Sequence, residues 1–572
     1  MVLPMQPAAP AYYDIIIKNA VVIDGTGRKR FISDIGILNE RIAFIGDLKQ
    51  AKAVLEFRCE GKLIASPGFV DMHSHSDLMI FSDDPTSHVN RGDLPKIKQG
   101  VTLQVVGQDG LSLAPVRPVA RVDLATKMSG LCGVIDDPWD WEQVSDYLAK
   151  AEGRLAVNMA FLVGHCTVRE YVMGPTDREA NIRDRLQMGE VVKRAMREGA
   201  FGFSTGLIYE PAMFADFKEL DHLARIVAQH NGFFVAHIRN ETDRVIEALN
   251  EFLTVGKTTG VHLHVSHFKI AGDNNFSKID ELVKTFTEYK SAGNAITFDQ
   301  YPYIAGSTYL HAIMPPWSRA DDVDKTIINL QVDMVRERMA VDIFNEDESE
   351  WDNFYKMSGG FAGIQIAAVR PDSPNQDLIG KRLSQVAQEK GFDLSTEEGR
   401  KQMLFWTFDL LAEERLGVSM ISYNQSEENV RRIMQLPGYT VSTDGLVSGK
   451  PHPRVYGTYP RVLGLYTRQH GLHTLEDVIH HMSLLPAEIL GVDAERGSID
   501  VGKYADIVLF DPETIIDRAT FEDSIQYPTG IEAVIVNGQL CYDNREGLDM
   551  VATLPGKVLR HDVAKPRQVL KW

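Results

Sequence analysis

The segment GFVDMHSHSD, residues 68–77, follows an apolar run at residues 63–67 and decides how the rest of the chain is interpreted. Side chains on a β-strand alternate between two faces, so a strand running into this segment would point His73 and His75 the same way. Two imidazoles on one face, at the carboxyl end of a strand, are typical ligands of a divalent metal such as zinc. A single His-x-His pair also occurs by chance in polar loops. The interpretation therefore depends on further ligands at the ends of later strands.

Size and composition bound the class of protein. With 572 residues the chain is too long for one small core, so we expect one large domain and a smaller one. Hydrophobic residues make up 44% and charged residues 24% of the chain, as in soluble globular proteins. The net charge of −19 argues against nucleic acid or an anionic membrane as a partner. No stretch approaches the ~20 apolar residues of a membrane span.

The cysteines are few and scattered along the chain. The four of them are Cys59, Cys132, Cys166 and Cys541. They form no CxxC pair, which argues against a disulfide framework and favours a reducing compartment. The amino terminus lacks the basic region and long apolar core of a signal peptide. We therefore predict a cytoplasmic protein.

The middle of the chain alternates strand patterns with helical patterns, which is typical of βα units and a parallel sheet. Eight candidate strands lie at residues 63–75, 101–106, 156–163, 200–204, 233–237, 262–267, 295–298 and 439–444. Eight strands with intervening helices predict an α/β fold, a (β/α)8 TIM-like barrel. Functional groups in such barrels lie at the carboxyl ends of the strands.

Short strand-and-turn segments flank this middle at both ends of the chain. The pattern before residue 64 recurs near the carboxyl terminus, for example in GSIDVGKYADIVLFDP at residues 497–512. We expect one small composite β-domain built from residues 1–64 and 491–572, with the barrel at residues 65–490.

The seventh and eighth candidate strands are separated by about 130 residues, far more than an ordinary βα connection. We expect a large insertion at about residues 310–436. Its helical patterns lie at residues 377–391, 396–414 and 426–435, and Ser426 is the expected N-cap of the last. The insertion could carry a lid or a substrate subsite, or serve packing alone.

Side chains with metal-binding chemistry stand where the candidate strands end. They are His73 and His75 after the first strand, Asp109 after the second, His237 after the fifth, His267 after the sixth and Asp444 after the eighth. Because the carboxyl ends of barrel strands meet at one mouth, these side chains should converge. Four histidines and two carboxylates in one place predict a divalent-metal site.

Such a set of side chains suits hydrolysis. A bound metal lowers the pKa of water toward ~7 and polarises a carbonyl group. A remaining carboxylate, Asp444, can take the proton of that water and pass it to a leaving nitrogen. We therefore predict an enzyme that hydrolyses an amide bond.

Several segments together resemble one known family. They are GFVDMHSHSD, GVTLQVVGQDGLSLAP, GAFGFSTGLIYEP, HIRNE, SHFK, DQYPYIAGST, STDG, HPRVYGTYPRVLG and VGKYADIVLFDP. In order and number they resemble the amidohydrolase superfamily, specifically its N-acyl-D-amino-acid deacylase (D-aminoacylase) branch. The resemblance covers most of the chain and implies a barrel with a composite β-domain.

The resemblance also implies roles for individual residues. His237 and His267 would be ligands of a tightly held zinc, and His73 and His75 would face a second, weaker or empty metal position. Asp444 would be the general acid/base. The positions that match those binding the substrate carboxylate are Lys269, Tyr301 and Arg454, with Ser307 beside them. Lysine, arginine and tyrosine are suitable partners of a carboxylate.

One residue departs from the family pattern. After the second strand the D-aminoacylases usually have a cysteine ligand in a GNCG turn, whereas this chain has GQDG, with Asp109 in the cysteine's place. A carboxylate is harder than a thiolate and readily bridges two ions. We therefore expect one or two zinc ions and weaker selectivity for zinc over other divalent metals. The exchange also leaves the substrate class open.

Four further residues have competing interpretations. His262 and His264 have the opposite strand parity to His267 and are predicted to face the helices or a neighbouring layer, as structural residues. His165, at the end of the third strand, is equally a structural residue or a substrate contact. Lys450 could favour an acidic substrate, against the simpler interpretation of a solvated loop residue.

The predicted reaction is hydrolysis of N-acyl-D-amino acids to a carboxylic acid and a D-amino acid. The predicted partner is a small molecule with a carboxylate, and the oligomeric state is left open, with a homo-oligomer as one option. One alternative is an amidohydrolase that cleaves a dipeptide with a D-residue or a cyclic amide. The fourth strand ends in GFSTG without a lysine, which weighs against the cyclic amide. The other alternative is a non-catalytic homologue.

Overall fold

The computed structural model describes residues 10–82, 93–122, 124–125, 128, 133, 139–319, 323–345, 347–545 and 554–565. Its strands are β1 (Tyr12–Val22), β2 (Phe31–Leu38), β3 (Arg41–Gly46), β4 (Lys52–Arg58), β5 (Ile64–Pro67), β6 (Phe69–Asp71), β7 (Val101–Val106), β8 (Asn158–Gly164), β9 (Gly202–Gly206), β10 (Phe233–His237), β11 (His262–Val265), β12 (Ile296–Gln300), β13 (Ala305–Tyr309), β14 (Ile364–Ala368), β15 (Ser419–Tyr423), β16 (Tyr439–Val441), β17 (Ile507–Phe510), β18 (Ile531–Val536) and β19 (Gln539–Asp543).

The helices of the barrel and its extensions follow the strands. The α-helices among the described residues are Leu94–Ile97, Val144–Ala151, His165–Met173, Ile182–Glu198, Phe217–Gln229, Val245–Thr259, Ile279–Ser291, Val323–Gln331, Asp333–Phe344, Phe354–Met357, Leu383–Lys390, Glu397–Glu413, Glu427–Met434, Arg454–Arg461, Leu475–Met482 and Leu484–Leu490. A π-helix covers Val462–Gln469. None of these helices combines the length and apolarity that a bilayer crossing demands.

The central element is a parallel sheet of eight strands in the order β6-β7-β8-β9-β10-β11-β12-β16, and it confirms the predicted barrel. The seam between β16 and β6 is closed differently from the other pairs. There Asp444 N donates to His73 O (2.8 Å), and Ser74 forms a single parallel bridge with Gly445. The Asp71 carboxylate strengthens the seam because it accepts from both the backbone N (2.8 Å) and the hydroxyl (2.6 Å) of Thr443.

The first predicted strand, residues 63–75, is two strands that belong to different sheets. Strand β5 pairs with β1 and β17, whereas β6 pairs with β7 of the barrel. Gly68 stands between them, and a Cβ there would lie 2.1 Å from Thr102 Oγ1, so only glycine fits. The apolar run is continuous in sequence, which is why the pattern alone predicted one strand.

A mixed sheet combines both chain ends and confirms the composite β-domain. Its order is β19-β18-β17-β5-β1-β2-β3, with β4 parallel to β1. Ile17 from the amino-terminal part and Ile507 from the carboxyl-terminal part are fully buried in the same cluster. Neither chain end could bury this apolar face alone.

Around the barrel, amphipathic helices cover the outer face of the strands. In Phe217–Gln229 the buried residues Leu220, Leu223, Ala224 and Val227 follow the spacing of one helix face. The Asp216 carboxylate caps this helix by accepting from Glu219 N (2.8 Å).

The insertion contains the three predicted helices and also a small sheet that the sequence did not predict. The helices are Leu383–Lys390, Glu397–Glu413 and Glu427–Met434. Ser426 caps the last, since its hydroxyl accepts from Asn429 N (3.1 Å). The antiparallel sheet has the order β13-β15-β14, and its three strands have five residues each, too short for a reliable alternation.

Candidate active site

The six predicted metal-binding residues converge at the carboxyl ends of the barrel strands. His73 and His75 follow β6, Asp109 follows β7, His237 ends β10, His267 follows β11 and Asp444 follows β16. All six side chains are buried. Their ligand atoms form two groups, and within each group those atoms lie within 4.8 Å of one another.

The first group joins His73, His75, Asp109 and Asp444. The Nε2 atoms of the two histidines are 3.3 Å apart, although β6 ends before them and the strand alternation does not itself set their direction. Asp109 Oδ2 lies 3.4 Å from His73 Nε2 and 3.6 Å from His75 Nε2. Asp444 Oδ1 lies 3.6 Å and 3.3 Å from the same two atoms.

The second group joins Asp109, His237 and His267. The two imidazole rings are 4.5 Å apart between centroids, and His267 Nε2 lies 3.7 Å from Asp109 Oδ1. Asp109 therefore turns one carboxylate oxygen toward each group. This is the position of a bridging ligand, and it agrees with the chemistry expected of a carboxylate in the GQDG turn.

Three of these residues have left-handed backbone conformations. The φ angles are +54° at Asp109, +32° at His267 and +46° at Asp444. Such angles are uncommon for residues other than glycine and gather at functional sites, where the surrounding structure holds the strain. Each residue lies where its strand has ended, so the turn aims its side chain into the mouth.

The polar atoms of these residues fit a bound divalent metal. Several are buried without a hydrogen bond, including both ring nitrogens of His237 and Oδ1 of Asp109. Buried polar atoms left unpaired are costly, so lone pairs of carboxylate oxygens and imidazole nitrogens without a hydrogen-bond donor indicate a partner such as a cation. Imidazole nitrogens and carboxylate oxygens are the ligands that zinc and related metals accept.

The histidines of the site differ from one another in their electrostatics. Burial lowers the pKa of His267, but Glu241 and Asp109 outweigh it and raise that pKa to about 9. Burial lowers the pKa of His73, but the carboxylates of Asp109, Asp444 and Asp299 outweigh it and hold that pKa well above the ordinary value. Burial lowers the pKa of His237 to about 4, which keeps this imidazole neutral and ready to coordinate a metal.

Asp299, near the end of β12, was not predicted as a site residue. It contacts two of the candidate metal-binding histidines, His73 and His267. Its Oδ2 is 3.6 Å from His73 Nδ1 and 3.1 Å from His264 Nε2. Its Oδ1 accepts from His267 N (3.0 Å) and Ser442 Oγ (2.5 Å). The signal was present, because Asp299 is a carboxylate at the end of the seventh strand.

Glu241 was also missed, four residues after His237 in the segment HIRNE. Its Oε1 accepts from Lys269 Nζ (2.6 Å) and lies 3.2 Å from His267 Nδ1. A carboxylate at that nitrogen orients the ring and leaves Nε2 to face Asp109. Asp352, from the insertion, accepts a hydrogen bond from Glu241 N (3.0 Å). The pKa of Asp352 is raised to about 7, mainly by burial and also by the negative charge of Glu241.

The four predicted substrate-binding residues line the same cleft as the metal-binding residues. Arg454 is fully buried, with Nη1 2.9 Å from Asp444 Oδ2 and its guanidinium 4.6 Å from the centre of the Tyr301 ring. Arg454 Nη2 donates to Ser307 O (3.2 Å), and Ser307 Oγ donates to Met420 O (2.9 Å). Tyr301 OH accepts from Gln425 Nε2 (2.9 Å). Lys269 completes the set through its contact with Glu241.

The residues with competing interpretations lie outside this cleft lining. His165 is fully buried between Thr205 Oγ1 (2.9 Å) and Glu219 Oε1 (2.7 Å), a structural environment. His264 contacts Thr297 and Asp299 of the neighbouring strand β12, so of the two predicted environments the one beside the helices does not apply to it. The left-handed turn at His267 changes the alternation beyond β11, and parity counted back from His267 therefore fails.

The sequence matches the amidohydrolase family over residues 59–312 and 401–542. It is 33% identical to an N-acyl-D-glutamate deacylase of Alcaligenes xylosoxydans xylosoxydans, over 96% of this chain and 97% of the relative. It is 32% identical to a D-aminoacylase of the same organism, over 92% and 94% of the two chains.

Solved structures of deacylases also superimpose on this chain. An N-acyl-D-glutamate deacylase from Bordetella bronchiseptica superimposes with a TM-score of 0.78 at 31% identity, covering 96% of this chain and all of that one. That protein was crystallised with zinc and a phosphonate inhibitor that mimics the tetrahedral intermediate. A D-aminoacylase described as having a binuclear metal centre has a TM-score of 0.75 at 30% identity, with coverage of 96% and 100%. The resemblance seen in the sequence is thus confirmed, and the chain belongs to the amidohydrolase family.

Proposed function

We propose that this protein hydrolyses the amide bond of N-acyl-D-amino acids with the help of one or two divalent metal ions. The observation that carries the proposal is the position of Asp444. One of its carboxylate oxygens faces the metal-binding histidines, and the other is held by Arg454. A metal site, an acid/base group and a cation for a substrate carboxylate therefore meet in one cleft. The named relatives, deacylases of D-amino-acid derivatives, support the same reaction.

The principal metal position would be formed by Asp109, His237 and His267, and zinc is the preferred ion. His73 and His75 would hold a second ion, with Asp109 shared between the two positions. The metal would polarise the amide carbonyl and lower the pKa of water in the cleft.

Asp444 is proposed as the general acid/base. Burial raises the pKa of Asp444, but the charges of Arg454 and His73 outweigh burial and hold it well below its ordinary value. The carboxylate is then ionised at neutral pH and can accept a proton from the attacking water. As the C–N bond breaks, Asp444 returns that proton to the amine nitrogen, so that a carboxylic acid and a D-amino acid are released.

The substrate α-carboxylate would bind between Lys269 and Arg454, with Tyr301 and Ser307 beside it. Both cations are buried and held by anionic partners, Glu241 and Asp444. With the carboxylate held at two such points and the amide at the metal position, the D- and L-enantiomers would direct their side chains toward different walls of the cleft. This arrangement supports discrimination between D- and L-enantiomers.

The first experiment is hydrolysis of paired D- and L-N-acetyl amino acids by zinc-loaded protein. We expect turnover of the D-series only. Asp444→Asn should retain zinc and lose activity by about a thousandfold or more, because the proton acceptor is gone. Bound metal with no turnover of any acetyl amino acid would contradict the proposal and direct the search to dipeptides and cyclic amides. Absence of bound metal would favour a non-catalytic homologue.

The cytoplasm is proposed as the location. Among the described residues, Cys59 and Cys541 are buried free thiols, which suits a reducing compartment. Fractionation of cells of the source organism with an antibody to the protein tests this, and recovery outside the cytoplasmic fraction would contradict it.

A further inference from the structure

Asp444 lies beyond the regular pairing of its own strand. The last paired residue of β16 is Val441, which stands opposite Gln300 of β12. Three residues further on, Asp444 has a left-handed conformation with φ +46°. Its side chain is buried at the mouth, where the proposed reaction needs it in one place. Contacts other than the strand ladder must therefore set the position of Asp444.

The residue before Asp444 is held from the opposite side of the seam. Asp71, at the end of β6, accepts from Thr443 N (2.8 Å) through Oδ1 and from Thr443 Oγ1 (2.6 Å) through Oδ2. Asp71 and Thr443 are both fully buried, so bulk water does not compete for these bonds. The carboxylate thereby fixes the backbone next to Asp444 to the strand that leads to His73.

Lys96 fixes the direction of these bonds. This residue belongs to the helix Leu94–Ile97 and is buried, and its Nζ donates to Asp71 Oδ2 and to Thr443 Oγ1 (2.7 Å). A threonine hydroxyl has one hydrogen, so the Oγ1 that accepts from Lys96 gives its hydrogen to Asp71. A buried ion pair stabilises a fold little, because desolvation offsets the attraction of the charges. What this pair supplies is a closed set of directed bonds around Thr443.

We infer that Asp71, Lys96 and Thr443, which we call the seam clamp, position Asp444 for proton transfer without touching the substrate. The inference rests on the proposed function, in which Asp444 is the general acid/base. The three residues lie outside the described lining of the active-site cleft. A proton acceptor must come within about 3 Å of the water that it activates, and a misplacement of about 1 Å can lower a rate about a hundredfold.

The first test is Asp71→Asn in the zinc-loaded enzyme, with the N-acetyl-D-amino acid that the wild type hydrolyses fastest. The amide keeps one acceptor oxygen, which cannot serve Thr443 and Lys96 together. We expect kcat to fall by about 10–100-fold because Asp444 is misplaced. KM should change by less than about twofold, since Lys269 and Arg454 belong to other elements, and the zinc content should equal that of the wild type.

A second variant separates position from stability. Asp71→Asn leaves Lys96 Nζ buried without its anion, which by itself destabilises the fold. Combining Asp71→Asn with Lys96→Met removes both charges, so the unfolding midpoint should recover while kcat stays low. Recovery of kcat together with the midpoint would show that the pair acts only through stability, and would overturn the inference.

The hydroxyl of Thr443 gives a conservative comparison. Thr443→Ser keeps the hydroxyl and should retain kcat within about threefold, whereas Thr443→Val loses it and should lower kcat by about tenfold. Equal kcat values in these two variants would contradict the role of the hydroxyl in the seam clamp.

A buried ion pair of the composite β-domain is the matched control. Arg496 Nη1 donates to Asp506 Oδ2, and Asp506 Oδ1 accepts from Asn537 N (2.8 Å). Arg496→Met with Asp506→Asn removes a pair of the same kind away from the mouth, and should leave kcat of the folded enzyme unchanged. A fall in kcat as large as that of the seam-clamp variants would overturn the inference.

The wild type and Asp444→Asn distinguish failure of the inference from failure of the proposed function. If the wild type hydrolyses N-acetyl-D-amino acids and Asp444→Asn does not, unchanged kcat in both Asp71→Asn and Thr443→Val overturns the seam clamp alone. No turnover by the zinc-loaded wild type refutes the proposed function and the inference together.

Discussion

The two ends of the barrel are made by the same strands but from opposite kinds of residue. On β10 the inward side chains are Phe233 at the amino end, Val235 in the middle and His237 at the mouth. Phe233 and Val235 belong to an apolar cluster that closes the amino end with Leu485 and Ile489 of helix Leu484–Leu490. The mouth instead collects histidines, carboxylates and unpaired polar atoms. Stability and chemistry are therefore separated along each strand, and substitutions should affect them separately.

The largest effect is expected at the mouth. His267→Ala removes a ligand of the principal metal position and should lower kcat/KM for N-acetyl-D-amino acids by about a thousandfold or more, with loss of bound zinc. The unfolding midpoint should hardly move relative to the wild type stripped of metal, because the apolar end is untouched. Metal analysis, kinetics and thermal unfolding measure the three quantities. His470→Ala, at an exposed histidine, is the control. Full zinc content in His267→Ala would contradict the assignment.

At the closed end the reverse is expected. Phe233→Ala should lower the free energy of unfolding by about 3–5 kcal/mol, because it removes a fully buried ring from the cluster. The folded fraction should keep its zinc and most of its kcat. Denaturant unfolding measures the loss, and Phe217→Ala, at a ring that is 36% exposed, is the matched control. An equal loss of unfolding free energy in both variants would contradict the assignment of stability to the apolar end of the barrel.

One buried charge at the closed end provides a pH test. Lys290 Nζ donates to Ile296 O (2.9 Å) at the start of β12, and burial lowers the pKa of Lys290 to about 7. The unfolded chain holds this proton up to its ordinary pKa of 10.5, so protein stability should rise with pH between about 7 and 10.5.

Lys290→Met should remove that dependence. At pH 6 the variant should be more stable by about 2–4 kcal/mol, and the gain should shrink to near zero by about pH 10. Thermal unfolding across this range measures it, with Lys284→Met, at a 71% exposed side chain of the same helix, as the control. A gain that is constant with pH would point to packing alone.

The smallest effect is expected at Glu241, which contacts His267 and Lys269 but is not assigned as a metal ligand. Glu241→Gln keeps the shape but weakens the contacts with His267 and Lys269, and zinc affinity should fall by about 10–100-fold. Competition with a chelator measures the dissociation constant. Glu247→Gln, at an exposed residue ten positions after His237, is the control. Unchanged affinity in Glu241→Gln would show that His267 is oriented by other contacts.

The barrel and the convergence of the six candidate metal-binding residues could be predicted because each depends on a local pattern. A strand such as β10 has its own apolar run, and the rule that barrel mouths gather strand ends needs no knowledge of side-chain contacts. The same rule would have found Asp299. The division between β5 and β6 could not be predicted, since sheet membership is decided by the partners β1 and β17 and not by the apolar run itself.

The contact between Glu241 and Asp352 could not be predicted from local sequence patterns. Their contact joins residues more than 100 positions apart, Glu241 at the barrel mouth and Asp352 in the insertion. Nothing in either segment indicates the other. Strand parity left two environments open for His264 and could not choose between them, because a single left-handed residue, His267, changes the alternation on which the argument relied.

The seam between β16 and β6 has a dynamic consequence. Every other neighbouring pair of barrel strands shares a run of paired residues, whereas this pair has one bridge and the backbone contact of Asp444 with His73, and is otherwise joined through side chains such as Asp71 and Tyr459. Amides of residues 443–445 should therefore exchange with deuterium through a local opening that leaves the rest of the barrel protected. Because Asp444 and His73 are on opposite sides of this opening, each such event separates the proposed proton carrier from the metal-binding histidines. Hydrogen exchange at this seam would thus report the fraction of time in which the site is assembled.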